Sequence, residues 1–303
     1  MSSADGRRTA GRRVHVALLA VQIIFGVWPV VATVIMDRVP PAALIGFRTL
    51  LGAPLFFLVA RERRLPSLRD LGALTLLAIV GISANQLLFA EGLLRAGPVN
   101  ASVLGLCTPA LTLLVAVLLR RERATGTRIA GVGLSLLGAA LLVPGDRFDT
   151  SGAHLTGNLL ILASAVCYAS YLVLARDLLT RLGSLRTLAW LFLLGAVTAL
   201  PWTAGPLLAV DWSHLPAKHV AGLAFVLLLP TLAAYVLNAY ALKRVESSLV
   251  AVYIYTQPLV AALTSRLWLG TPIPLRTALA GGIIAAGVAL SAGVLPAFGK
   301  RAP

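Results

Sequence analysis

Charge is what this chain lacks most. Of 303 residues only 11 are Asp or Glu and 26 are Lys or Arg, so charged side chains make up 12% of the sequence. An ordinary soluble domain carries about twice that share. With 58% hydrophobic residues and a mean hydropathy of +0.89, the chain is excluded from the soluble globular class. Histidine is equally sparse: His15, His154, His214 and His219 all fall at or beyond the ends of apolar runs. No His-Glu-x-x-His, no Gly-x-Ser-x-Gly and no phosphate-cradling glycine loop occurs, which removes the residues an intramembrane hydrolase or lipid-modifying transferase would need. There are two cysteines, Cys107 and Cys167, each inside an apolar run. They read as two packed or cavity-lining thiols, with neither a disulfide nor a metal site implied. No catalytic residue, metal or cofactor is expected.

What is there is apolar sequence of membrane length. A hydrocarbon core of roughly 30 Å takes about 20 helical residues to cross. Ten segments qualify, at about 14–35, 43–60, 71–94, 99–119, 127–143, 156–175, 187–204, 219–241, 248–269 and 276–294. The stretches between them are too short for a soluble domain, so function has to reside within or between the helices. Arg12-Arg13 precedes the first run, but about 22 apolar residues without a small-x-small cleavage site read as a retained span, not a leader.

The net charge of +15 would suggest nucleic acid in a soluble protein. Here its placement decides otherwise. With ten spans and a cytoplasmic N-terminus, nineteen basic residues collect on predicted inner segments, among them Arg61, Arg63, Arg64 and Arg69, then Arg120, Arg121, Arg123 and Arg128. Six lie outside: Arg38, Arg95, Arg147, Lys218, Arg266 and Arg276, while Arg48 falls inside a span. That asymmetry is the positive-inside pattern. It predicts a multi-pass protein of the cytoplasmic membrane with both termini cytoplasmic, and no nucleic-acid partner.

The second half of the chain repeats the first. Residues 84–141 align without a gap on residues 233–290, an offset of 149 at which Leu88, Ala90, Leu93, Arg95, Val103, Pro109, Leu114, Leu118, Gly133, Gly138 and Ala140 meet the same residue type. Five helices is an odd number, so the second copy must enter the membrane upside down. The expectation is an all-α membrane protein of ten transmembrane helices in two inverted five-helix repeats: a tail at 1–13, a first repeat at 14–143, an external linker at 144–155, a second repeat at 156–294 and a tail at 295–303. Such duplications recur in carriers that work by alternating access, with the substrate held where the copies meet.

Several short motifs share one order with a known family. These are Gly26-Val27-Trp28, Phe47-Arg48, Ala90 to Arg95 leading to Ser102, Thr108-Pro109, Arg121-Glu122, and Gly131 to Gly138. The second copy adds Tyr168-Ala169-Ser170-Tyr171, Ala241-Leu242-Lys243 and Gln257-Pro258. In this ordered set the chain resembles the drug/metabolite transporter superfamily, specifically its ten-helix EamA-type carriers, over about residues 14–294. Gly270-Thr271 stands where the family usually has a second Gly-Glu. The resemblance implies a bundle in which spans one to four and six to nine surround a central cavity, with spans five and ten at its edge. It also favours export.

Polar groups inside a bilayer are costly and therefore informative. The candidates for substrate binding are Gln22, Trp28, Arg48, Asn85, Tyr168, Tyr171, Tyr235, Asn238, Tyr253 and Gln257; each competes with an ordinary helix-to-helix hydrogen bond. Pro109 and Pro258 occupy repeat-equivalent places in spans four and nine. Each removes a helical donor and frees the carbonyl four residues back, a mark of kinked helices at a transport path or of packing alone. Glu91 is the carboxylate placed inside a span and so the candidate for proton coupling. Arg48 and Glu91 both lie within roughly 6 to 9 Å of the predicted outer interface. Three arrangements compete: Arg48 as an outer gate or carboxylate site, an Arg48–Glu91 pair, or Arg48 snorkelling with Glu91 bonded to Arg95. The partners implied are a small-molecule substrate and the lipid bilayer, with a homodimer left open. The leading function is a secondary transporter of an amino acid or related metabolite. A drug or cation efflux carrier, a non-transporting sensor and an intramembrane enzyme are the alternatives.

Overall fold

The computed structural model describes residues 3–61, 65–141, 152–257, 259–260, 263, 267 and 275–292. Every regular element among them is a helix. In order these are α1 (Ser3–Met36), α2 (Pro41–Ala60), α3 (Leu68–Ala78), a π-helical segment (Ile79–Ala84), α4 (Asn85–Gly105), α5 (Thr108–Leu118), α6 (Gly126–Ala140), α7 (Gly152–Leu182) and α8 (Ser184–Ala209). A 3-10 turn (Trp212–His214) precedes α9 (Ala217–Val226), a second π segment (Leu227–Ala233), α10 (Ala234–Leu242), α11 (Ser247–Val252), a 3-10 turn (Tyr253–Thr256) and α12 (Leu275–Ser291). Five helical stretches among the described residues are long and apolar enough to cross a membrane: Pro41–Ala60, Leu68–Ala96, Leu155–Leu182, Ser184–Ala209 and Ala217–Leu242.

Local sequence sets the boundaries. Pro41 opens α2 with its fixed φ at a position where no backbone donor is missed. Ser67 caps α3 by accepting from the Asp70 N–H at 3.2 Å, and the Asp70 carboxylate in turn pairs with Arg181 at 2.7 Å. Pro109 stands in the first turn of α5, so the fourth apolar run is broken at Leu106–Cys107 and restarts behind it. Span four, expected at 99–119, is thus divided between the end of α4 and α5. Upstream, α4 runs unbroken through residues 94–99, where the sequence suggested a connection between spans three and four. Its far half is pinned to α7, because Asn100 Nδ2 donates to Asn158 Oδ1 at 2.9 Å in a buried pair. A Cβ on Gly157 would come within 2.6 Å of the Ala96 backbone nitrogen. That approach holds the helix together where a turn was predicted.

The two π segments, Ile79–Ala84 and Leu227–Ala233, sit at the 149-residue offset of each other. Pro230 removes a donor inside the second; the first contains no proline. Single-turn widenings of this kind cluster at functional places in helices.

The chain divides into two compact units that cut across the sequence copies: residues 1–91 with 174–244, and residues 92–173 with 245–303. In the first unit α2 packs along α8, α1 along α9 and α10, and the apolar centre gathers Ile35, Val39, Leu44, Leu223 and Val226. In the second unit α6 packs along α12 and α5 along α11. The α6–α12 seam is built on small residues. Gly131 lies against the Gly287 carbonyl and Gly138 against the Ala280 carbonyl, so the two helices run antiparallel. Ser135 Oγ donates to the Ile284 carbonyl at 3.4 Å, a pair separated by the repeat offset itself.

Candidate functional site

Among the described residues of the first unit the buried cation is Arg48, and the helices around it enclose it. Arg48 lies in the eighth position of α2, about 10 Å along the helix from its start. Only 8% of the residue is exposed. Its Nε–H donates to Thr231 Oγ1 at 3.0 Å, and its guanidinium carbon stands 5.4 Å from the centroid of the Trp28 ring on α1. Thr231 belongs to the second π segment, so the widened turn is what carries the hydroxyl to the arginine. One turn further on, Tyr235 is buried within the electrostatic reach of Arg48 and meets Phe192 of α8 edge-on at 4.9 Å. Among the described residues no carboxylate lies within ion-pair distance of Arg48. A charged side chain costs about 2.5 to 3.5 kcal/mol at the centre of a membrane helix on insertion scales, and less towards an interface. One neutral hydroxyl and one ring face offset part of that, and the net positive charge stays.

Of the residues singled out from the sequence, the structure brings together Trp28, Arg48 and Tyr235. Gln22 and Asn238 are buried in the same unit, and Asn85 is half-buried directly after the first π segment. Glu91 lies exposed on α4. The Arg48–Glu91 pairing considered above is therefore not the arrangement adopted: the arginine's hydrogen bond goes to Thr231. Tyr168, Tyr171, Tyr253, Gln257 and Pro109 belong to the second unit, where the Tyr168 and Tyr171 rings stack at 5.9 Å and Tyr253 is buried in the 3-10 turn after α11. Pro258 lies outside the described residues. Thr231 and Phe192 were not legible as site residues. The available signal for Thr231 was Pro230 beside it, at the repeat position of a helix already rich in polar groups.

Two further polar assemblies flank these elements. In the first unit His219 Nε2–H donates to Asp37, joining the start of α9 to the residue after α1. The Asp37 carboxyl is held below its ordinary range chiefly by that hydrogen bond, with His219, Lys218 and Arg38 adding favourable charge. Asp211 is lowered in the same way by the Ser213 hydroxyl and His214. In the second unit the buried Glu122 carboxylate accepts from the Ser247 and Ser248 hydroxyls and, at 3.2 Å, from the Ser248 N–H. It thereby supplies α11 with the cap that Glu246 does not provide. Arg128 reaches Glu122 at 3.7 Å and also pairs with Glu246. The face beside it, carrying Arg120, Arg121 and Arg123, is basic and open. Among the described residues no three His, Cys, Asp or Glu side chains gather as a metal site would require.

A membrane bundle with a buried, uncompensated cation beside a widened helix invites comparison with known carriers. The model of the EamA-like transporter family matches residues 12–143 and again residues 155–293. The chain belongs to this family. It is 30% identical to a probable terminal-alkyne amino-acid exporter of Streptantibioticus cattleyicolor over 231 residues, covering 75% of each chain. It is 28% identical to the uncharacterized transporter YdfC of Bacillus subtilis, over 83% of this chain and 81% of that one. With the uncharacterized inner membrane transporter YhbE of Escherichia coli K12 it shares 26% identity over 80% of this chain and 76% of the other. One solved crystal structure superposes with a TM-score of 0.80 over 95% of this chain and 99% of that chain, at 19% identity, which shows a common fold. This EamA-like protein is a membrane transporter and not an enzyme.

Proposed function

We propose that this EamA-like transporter moves a small metabolite, an amino acid or a related compound, out of the cell across the cytoplasmic membrane by alternating access. Its ten spans form two inverted five-helix repeats with both termini in the cytoplasm. The observation that carries the inverted arrangement is the seam between α6 and α12. These are the fifth helices of the two copies, and they pack antiparallel with position 131 against 287 and position 138 against 280. Under the 149-residue offset 131 corresponds to 280 and 138 to 287, so each contact is the two-fold mate of the other. Helices related in this way by an axis in the membrane plane belong to copies of opposite orientation. The matched π segments support the repeat itself.

The amino-acid part of the reading is supported by the name of the Streptantibioticus relative and by the surroundings of Arg48, which suit an anionic group next to aromatic surface. Trp28, Arg48, Tyr235 and Asn238 are the first-unit residues assigned to the substrate, together with Gln22 on the span of Trp28 and Asn85 on the third span. Tyr168, Tyr171, Tyr253 and Gln257 are their second-unit counterparts, and Glu91 is the carboxylate assigned to proton coupling. The test is solute counterflow in proteoliposomes, with radiolabelled L-phenylalanine outside and unlabelled compound trapped inside. Competition is measured from apolar amino acids and from cationic dyes. Transient accumulation that amino acids abolish supports the assignment; accumulation that only cationic drugs abolish rejects it in favour of drug efflux.

A further inference from the structure

We infer that Arg48 is the counter-charge for a carboxylate on the transported metabolite, in a site that exists once per chain and is built from Arg48, Thr231, Trp28 and Tyr235. This rests on the transporter reading above and narrows its substrate to organic anions and zwitterions.

The guanidinium is buried in a helix of the bilayer, and its one hydrogen bond to a described residue leaves from Nε to Thr231. Thr231 fixes the plane of the group without neutralising it. The outer edge, with its two terminal nitrogens, is the edge that meets a carboxylate through two parallel hydrogen bonds. A neutral ligand leaves the buried charge as it was, and a cation adds to it. The flanking surface matches the rest of such a ligand. The half-buried Trp28 ring lies 5.4 Å from the guanidinium carbon and gives flat apolar area beside the charge, while Tyr235 is buried edge-on against Phe192 behind it.

The repeat shows that the charge is not part of the common framework. Residues 50–53 and 193–196 both read Leu-Leu-Gly-Ala. Gly52 packs against Thr231 and Phe192, and Gly195 packs against Ile82, which is the repeat partner of Thr231. The two second helices therefore hold the two π segments in matching ways. In that register Leu191 occupies the place of Arg48. Where the first copy sends an arginine to the opposite π segment, the second uses Ser83, whose hydroxyl donates to the Gly195 carbonyl at 3.1 Å. A framework need alone would not demand a cation in one copy and a leucine in the other. One anion per chain is the consequence.

The experiment uses the purified full-length protein in detergent. Saturable shifts of its thermal midpoint are read with three probes: L-phenylalanine, 3-phenylpropionate and L-phenylalaninamide. The two carboxylates shift the midpoint with one site per chain, and the amide does not. Arg48→Gln loses at least about tenfold in carboxylate affinity. Arg48→Lys keeps a charge but loses the planar fork and falls between the two. Sodium chloride and phosphate alone produce no saturable shift. Should Arg48→Gln fail to fold, the carboxylate-to-amide ratio of the unaltered protein decides. Equal binding of amide and carboxylate, retained affinity in Arg48→Gln, or no carboxylate binding by the folded protein overturns the inference. Binding without counterflow in liposomes would instead remove the transport reading and leave the anion site standing.

Discussion

A single methyl group on Gly287 tests the α6–α12 seam. A Cβ there would lie 2.6 Å from the Ser135 nitrogen and 2.7 Å from the Gly131 carbonyl oxygen. Both are backbone atoms, so no rotamer change relieves the clash. To restore an ordinary separation near 3.5 Å the helices must move apart by about 1 Å, which loosens the whole row of close contacts on which membrane helices depend in place of a hydrophobic drive. Overpacking of this kind costs about 1 to 3 kcal/mol. Gly133 and Gly282 are the internal controls, because a Cβ at either meets nothing within 4 Å. There, removing a helix glycine is worth up to about 1 kcal/mol in the favourable direction. Gly287→Ala should therefore unfold at a lower temperature than the unaltered protein in detergent, and Gly133→Ala and Gly282→Ala at the same or a higher one. Thermal unfolding followed by tryptophan fluorescence and size-exclusion recovery reads the difference. If Gly287→Ala behaves like Gly133→Ala, the backbones are not in close contact and the two-fold seam is wrong.

Three further outcomes are expected. Asn100→Ala removes the bond from Asn100 Nδ2 to the buried Asn158 carbonyl oxygen and should cost about 1 to 2 kcal/mol, with the coupling between the two positions read from a double-mutant cycle of unfolding midpoints with Asn158→Leu. Asp37→Asn removes a carboxylate whose folded-state pKa is depressed. Its contribution is present above the unfolded carboxylate value and lost as pH falls through the lower folded value, so the midpoint gap to the unaltered protein is flat above about pH 4 and closes below it. A gap that opens towards acid would reverse the assigned sign. Pro109→Ala supplies a donor to the Gly105 carbonyl and lets α4 and α5 join across Leu106–Cys107; counterflow should fall while surface expression holds. Unchanged counterflow would mean the break serves packing alone.

Much of the framework was legible because membrane spans announce themselves by length and apolarity, and because Gly131, Gly138 and Gly287 recur where close helices need small residues. Trp28, Arg48 and Tyr235 were each visible as costly groups in an apolar run. Their assembly was not, since it depends on the register of α1, α2, α8 and α10 against one another, and no local pattern encodes that register. Depth alone makes an Arg48–Glu91 pair one of the three arrangements open to the sequence. Thr231 took the hydrogen bond because the π segment adds a residue to one turn and re-aims its hydroxyl, a backbone event that leaves no periodic signal in the sequence. The continuity of α4 across 94–99 was missed for a related reason: Gly97-Pro98 signals a turn locally, while the Asn100–Asn158 pair and the closeness of Gly157 to Ala96 hold the helix from outside.

Opposite orientation of the two copies is the claim on which the transport mechanism stands, and repeat-equivalent loops test it most directly. Ala124, after α5, corresponds to Ile273 in the second copy at the 149-residue offset. In a background with Cys107 and Cys167 replaced by alanine, single cysteines at these two positions are treated in intact cells with a membrane-impermeant maleimide and again after permeabilisation. The account predicts that Ile273→Cys labels from outside and Ala124→Cys only once the membrane is opened. Labelling of both from the same side would contradict it.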